Sequence, residues 1–276
     1  MRVDEALAAA FPDGAPRVTR TIDTGWDSVA LALEGGWMLR VARRDVVAAD
    51  YEAEVALLPE LAPTLPLRVP VPVRADRGWI LTRRIDGERI AADASPRLGT
   101  QLGTFLRALH AFPVERAVEL GAVVHEPQRE AERFRRLVLP LLDRGERERG
   151  ARLLDAYATQ EFGASIVHMD LGPDHVLVEG DTIVGIIDWT DVRIFDPAID
   201  LAWALYGTRP QFARAVADAY GADETVAARA RVYHAIGPWH EVTWGLDGRP
   251  EWVGSGLAGV RARLPEATGD ADTMAS

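Results

Sequence analysis

HMDLGPDHVLV at residues 168–178, followed by GIIDW at 185–189, decides how this chain is read. Each fragment closes a short apolar run with an acid: Asp170 follows SIVHM, and Asp188 follows TIVGII. If the two runs pair as a hairpin, Asp170, His175 and Asp188 converge at one edge. A carboxylate beside an imidazole suits a divalent cation, and a separate carboxylate suits a general base. Taken singly, Asp170 is explained equally well as a turn cap and Asp188 as a strand end. Acids after both runs, with His168 and His175 flanking one of them, make coincidence the poorer account. Zinc hydrolases use the same ligand types, but neither HxD nor DxxxxH has the His-Glu-x-x-His spacing of a helical zinc site.

The remaining composition narrows the setting. A chain of 276 residues, 48% of them hydrophobic, can build one large domain or two modest lobes sharing a cleft. No apolar run reaches the roughly 18 residues of a membrane span, and the acid-bearing N-terminus does not match a signal peptide. A cytoplasmic protein with no membrane partner is expected. Cysteine is absent, which excludes disulfides and thiolate catalysis. A net charge of −11 disfavours nucleic acid as a partner and favours cationic ligands, although solubility alone also accounts for an acidic balance. All 31 basic residues are arginine, so any lysine role at a phosphate falls to Arg.

Organisation changes along the chain. RVTRTID, DSVALALEGG, WMLRVARR, RVPVPVRAD and GWILTRRIDG read as strands, with a helix between the third and fourth. Val47, Tyr51, Val55 and Leu58 give that helix its spacing, and Asp45 is its expected N-cap. From Ser95 the pattern is helical. Leu98, Leu102, Phe105, Leu106 and Leu109 form one stripe, and charged amphipathic segments follow at about 126–146 and 147–160. The expectation is an α+β chain of two lobes: residues 1–88 with a small antiparallel sheet and one helix, residues 89–265 mainly helical, and a frayed tail at 266–276.

At this point the residues resemble a known family. HMDLGPDHVLV, GIIDW and DPAIDLAW, in that order, are similar to the catalytic segments of the aminoglycoside and macrolide phosphotransferases, antibiotic kinases with the protein-kinase-like fold. The similarity extends more weakly to DTGWDSVALAL as the nucleotide-covering loop, WMLRVARR as the third strand and GWILTRRIDGERI as the interlobe hinge. The resemblance implies transfer of the γ-phosphate of ATP or GTP to an antibiotic hydroxyl. It makes Asp170 the catalytic base and His175 and Asp188 the ligands of Mg²⁺. Ser28, Arg40, Glu54, Thr82, Arg83 and Ile85 would contact or support the nucleotide, Arg40 replacing the usual lysine and pairing with Glu54. His168 and Asp200 would brace the catalytic loop. Asp196 and Pro197 read as the N-cap and first-turn proline of a helix. Glu52 competes with Glu54, and a solvated helix face explains either acid.

His175 stands where such loops more often carry Asn. A neutral imidazole offers a lone pair in its place, and an imidazolium cannot bind metal, so acid should inhibit. Acceptor contacts are expected from YHAIGPWHEVTWGLDGRPEW, with Trp239, Glu241 and Trp244 as candidates. Acids beside indoles suit a cationic ring compound, although core packing explains the tryptophans as well. An aminoglycoside-like cation fits best. A macrolide, a metabolic small molecule, or binding without catalysis as a pseudokinase stay open.

Overall fold

The computed structural model describes residues 2–23 and 27–267. Thr24, Gly25 and Trp26 of the expected nucleotide-covering loop, and residues 268–276 of the expected tail, lie outside them; Ala267 closes the last helix.

The small lobe is a five-stranded antiparallel sheet of β1 (Val18–Ile22), β2 (Ser28–Leu33), β3 (Trp37–Ala42), β4 (Pro72–Asp76) and β5 (Trp79–Arg83). Its spatial order is β1-β2-β3-β5-β4. Gly35 and Gly36, at φ +78° and +74°, make the tight β2–β3 turn that a residue with a Cβ enters only under strain. Two helices cover opposite faces. α1 (Val3–Ala10), which the apolar pattern did not announce, buries Ala6 and Ala10 against Leu31, Leu33, Leu39 and Leu81. α2 (Asp45–Leu61) packs Val47, Ala48 and Tyr51 on Ala42 and Ile80. Strand alternation then sorts β3: Leu39 and Val41 face α1, and Arg40 turns to the α2 side. Asp45 is the first helical residue rather than the cap; Arg44 holds the N-cap position without a side-chain cap.

The large lobe contains α3 (Pro96–His110), α4 (Val114–Glu119), α5 (Pro127–Leu137), α6 (Arg144–Thr159), α7 (Ala198–Tyr206), α8 (Pro210–Tyr220), α9 (Glu224–Leu246) and α10 (Glu251–Ala267). The Ser95 hydroxyl accepts from the Leu98 N–H at 3.3 Å and starts α3, and Asp143 with Glu146 form a capping box on α6. The Leu98–Leu109 stripe is buried as its spacing requires. Gly103 lets α8 come close, since a Cβ there would lie 2.4 Å from the Val216 carbonyl oxygen. Asp143 ends the first charged segment early, so the expected break at 146–147 falls at 138–143, around Pro140. Among the described residues no helix is long and apolar enough to cross a membrane.

Short strands carry the acids: β6 (Glu88–Arg89), β7 (Ser165–Val167), β8 (Val176–Glu179), β9 (Thr182–Ile186) and β10 (Arg193–Phe195). The expected hairpin between the two acid-bearing runs does not form. β7 pairs with β10, and β9 pairs with β8, which also takes β6. A turn at Gly180 joins β8 to β9, which pair with each other, so the acids meet through their loops instead.

Candidate active site

Asp170 and Asp188 sit at the ends of two loops held in unusual backbone. Met169 (φ +74°) and Asp188 (φ +65°) are the non-glycine residues of positive φ among those described. Such strain persists only where surrounding structure over-determines it. At Met169 the restraint is the carboxylate of Asp200, which is fully buried. It accepts the His168 N–H at 2.7 Å and the Met169 N–H at 2.9 Å, with His110 Nε2 at 3.1 Å. At Asp188 the restraint is Trp189, fully buried against Phe105 and donating its Nε1 hydrogen to the Ile186 carbonyl at 3.1 Å. Asp196, one residue before the N-cap of α7, accepts from the Ala198 N–H, Arg229 and the Tyr233 hydroxyl. Asp200→Asn, with one acceptor oxygen where two backbone N–H groups need one each, is expected to lower stability by about 2 kcal/mol in urea titration.

The histidines are set by their hydrogen bonds. His168 donates from Nε2 to the Ile187 carbonyl at 3.0 Å, while its Nδ1 has no partner among the described residues. Burial lowers its pKa, so it stays a neutral spacer between the two loops. His175 Nδ1 lies 2.6 Å from the backbone oxygen of Asp170, which fixes the hydrogen there. The Nε2 lone pair therefore faces Asp188, 3.7 Å from Oδ2. These two donors fit a hard cation that keeps waters and takes its other ligands from phosphate. Among the described residues no three His, Asp or Glu are grouped to hold a metal alone.

The two carboxylates are driven apart. Burial raises the pKa of Asp170, only partly offset by His175 and His168. For Asp188 burial acts the same way, but Arg40 and His175 outweigh it and the pKa is lowered. Divergent environments of this kind separate a proton acceptor from a permanent anion. Both side chains remain open to the cleft, 56% and 49% exposed.

Arg40 enters from the small lobe. Its side chain is 12% exposed, its Nη2 is paired with the fully buried Glu54, and its Nη1 reaches Thr190 Oγ1 at 3.2 Å and Asp188 Oδ1 at 3.4 Å. Glu52, the competing acid, is exposed. Ser28 opens β2, and Thr82 is buried in β5. Arg83 turns the other way, its guanidinium 3.5 Å above the Trp37 ring, outside the Arg40–Asp188 group. Ile85 packs on β9 at Gly185.

Beyond Asp170 opens a cavity of about 740 Å³, walled by α5, α6, α7, α9 and α10. Glu241 and Trp244 line it, Glu241 accepting from Ser255. Trp239 does not: it is fully buried against Phe134 and above Gly150, and belongs to the core. In a helix whose faces are nearly all covered, spacing alone gave no sign of which indole faces the cavity. Sequence reading also missed Glu130, Asp191 and Arg193. Glu130 accepts from the Tyr157 hydroxyl, with His125 and His240 beside it. Burial opposes its charge, but these groups outweigh it and hold the pKa at about 2. Asp191 has no hydrogen bond or ion pair among the described residues, and burial, then Asp170, Asp27 and Asp188, push its pKa up to about 7. Its position three residues after Asp188 was the available signal.

A β-sheet lobe with a buried Arg–Glu pair, above a carboxylate loop and an imidazole–carboxylate pair, suits phosphoryl transfer to a hydroxyl. The chain belongs to the phosphotransferase enzyme family, whose model matches residues 18–234. It is 32% identical over 201 residues to viomycin phosphotransferase of Streptomyces vinaceus, covering 66% of this chain and 69% of that protein. It is 30% identical over 228 residues to a homoserine kinase of Methylobacterium sp. (strain 4-46), covering 72% and 70%. Among solved structures it resembles the GDP complex of an aminoglycoside 2'-phosphotransferase-IIIa, with a TM-score of 0.83, 25% identity, and coverage of 95% and 97%. The two-lobed kinase-like architecture anticipated from the motifs is therefore the fold.

Proposed function

We propose that this protein phosphorylates a hydroxyl of a cationic antibiotic, with ATP or GTP as donor. One observation carries the acceptor class: among the described residues, the cavity beyond Asp170 offers unpartnered carboxylate and no uncommitted cation. Asp191 has no partner among the described residues. Each lining arginine already donates to the protein: Arg133 to Asp247, Arg193 to Asp50, and Arg263 to the His234 carbonyl. A zwitterionic amino alcohol such as homoserine needs a cation for its carboxylate and fills little of about 740 Å³. A polycation needs the acids and uses the volume, and Trp244 adds a ring face for it. The relative that acts on viomycin supports the same class, and the GDP held by the structural neighbour supports GTP as a donor.

In this reading the acceptor oxygen attacks the γ-phosphorus, the bond to the β–γ bridging oxygen breaks, and the hydroxyl proton passes to Asp170. Asp170 is suited to this because partial desolvation within the cleft, where its side chain is still 56% exposed, makes it more basic than an ordinary carboxylate. His175 and Asp188 would hold Mg²⁺, which supplies charge neutralisation on the phosphates. Arg40 would contact phosphate, kept in place by Glu54, and Asp200 would brace the Asp170 loop as His168 spaces it from Asp188. Ser28, Thr82, Arg83 and Ile85 would frame the nucleotide, Arg83 through its backbone.

The test is a panel of viomycin, kanamycin, a macrolide and homoserine, each with Mg²⁺ and either nucleotide, read by mass spectrometry for an added phosphate. A polycation should react fastest. Homoserine turning over faster than every antibiotic would replace the reading, and nucleotide binding without any product would leave a binding protein. Asp191→Asn is expected to raise KM for the cationic acceptor about tenfold with little change in kcat, the pattern of a contact equal in ground and transition states.

A further inference from the structure

α2 carries two acids one turn apart, Asp50 and Glu54, and each meets an arginine from a different lobe. Glu54 takes Arg40 of β3 within the small lobe. Asp50 takes Arg193 of β10 in the large lobe, Nη2 to Oδ1 at 2.9 Å, with the side chains 19% and 23% exposed. The other arm of Arg193 donates to the Val192 carbonyl at 2.8 Å and, more loosely, to that of Thr190 at 3.5 Å. Arg193 is thus fastened to the segment that follows Asp188. Arg40 reaches the same segment from the opposite side, at Asp188 and Thr190. Two arginines therefore join α2 to residues 188–193.

Nucleotide affects these two links differently. Phosphates and their cation draw on Arg40 and Asp188, so the first link changes partners when the site fills. The second involves neither residue. The C-terminal half of α2 is held separately, by Leu57, Leu58 and Leu61 in the large-lobe core and by Glu60 paired with Arg116 of α4. We infer that the Asp50–Arg193 ion pair is the tether that holds the N-terminal half of α2, and with it Glu54, against residues 188–193 once nucleotide has taken over Arg40. This rests on the proposed role of Arg40 at the phosphates. Asp50 and Arg193 act as positioning residues: they keep the Glu54 carboxylate where it aims Arg40. A half-buried pair is suited to this, because the loss of one partner strands the other in a partly desolvated place. Arg193 also lines the acceptor cavity whereas Asp50 does not, so substitution of Asp50 tests the tether without touching the acceptor wall.

The experiment is amide hydrogen exchange across residues 45–54, with residues 55–61 as the reference that stays held, with and without a Mg²⁺-bound non-hydrolysable GTP or ATP analogue. In Asp50→Asn without nucleotide, Arg40 still ties α2 down, and exchange should stay within about twofold of the parent. With the analogue bound, exchange should be about tenfold faster than in the loaded parent. The charge swap Asp50→Arg/Arg193→Asp should restore protection in that state. Equal protection of loaded parent and loaded Asp50→Asn would overturn the tether. So would a loss of the same size in both states, which marks a merely weaker helix. A parent protein that binds neither analogue overturns the reading of Arg40, and the tether with it.

Discussion

Asp170→Asn is expected to lower kcat by about 100- to 10,000-fold, the range spanned by removal of a general base. Acceptor KM should stay within about threefold, since the lost interaction belongs to the transition state. The substitution is nearly isosteric, and the Asp170 carboxylate makes no hydrogen bond to the described protein; the His175 Nδ1 lies 3.7 Å from it. Folding therefore gives no reason for activity to fall, and the thermal midpoint should be unchanged. Nucleotide affinity should also persist, because Asp188, His175 and Arg40, the groups proposed for the phosphate side, remain. Assays at saturating acceptor and nucleotide separate these quantities. If Asp170→Asn kept kcat within about tenfold, proton transfer would not rest on Asp170, and Asp191 in the same cavity would become the residue to substitute.

The motif stretches were legible because their chemistry is local. Asp170 and Asp188 each follow an apolar strand within a few residues, so their loops could be placed from sequence. Their convergence was right by a wrong route: the expected hairpin is replaced by β7–β10 and β8–β9 pairs, and pairing partners are a non-local property that spacing does not encode. The acceptor wall was mostly hidden for the same reason. Glu130 stands in REAERFRR, a run that reads as a solvated helix face, and only the packing of α5 on α6 brings it to Tyr157. Trp239 and Trp244 lie five residues apart in α9, yet one is core and the other lines the cavity, because α5 and α6 close over only one of them. Asp50–Arg193 spans 143 residues and left no local trace.

Arg40 and Glu54 allow stability and activity to be pulled apart. Glu54 is fully buried, its Oε2 has no partner among the described residues, and burial raises its pKa against the pull of Arg40, so Arg40 is the support its charge has. Burial opposes the Arg40 charge as well, but Glu54, with Tyr51 and Asp188, more than offsets it and raises the pKa; the guanidinium stays charged. Arg40→Met leaves an uncompensated buried carboxylate, and unfolding in urea should show a loss of about 3–5 kcal/mol. Replacing both residues, Arg40→Met with Glu54→Leu, removes the stranded charge along with its partner. Most of that loss should return, since apolar side chains of similar volume replace buried ion pairs at little or no cost. Activity should not return with it. If Arg40 is the proposed phosphate contact, the double variant lacks it, so kcat/KM for nucleotide should remain as low as in Arg40→Met. Arg40→Lys keeps a charge but loses the forked geometry that reaches Glu54, Thr190 and Asp188 together, and should fall between parent and Met. A double variant no more stable than Arg40→Met would mean that the Glu54 charge is not what the arginine offsets. A double variant that regained turnover would mean that Arg40 serves the fold and not the phosphates.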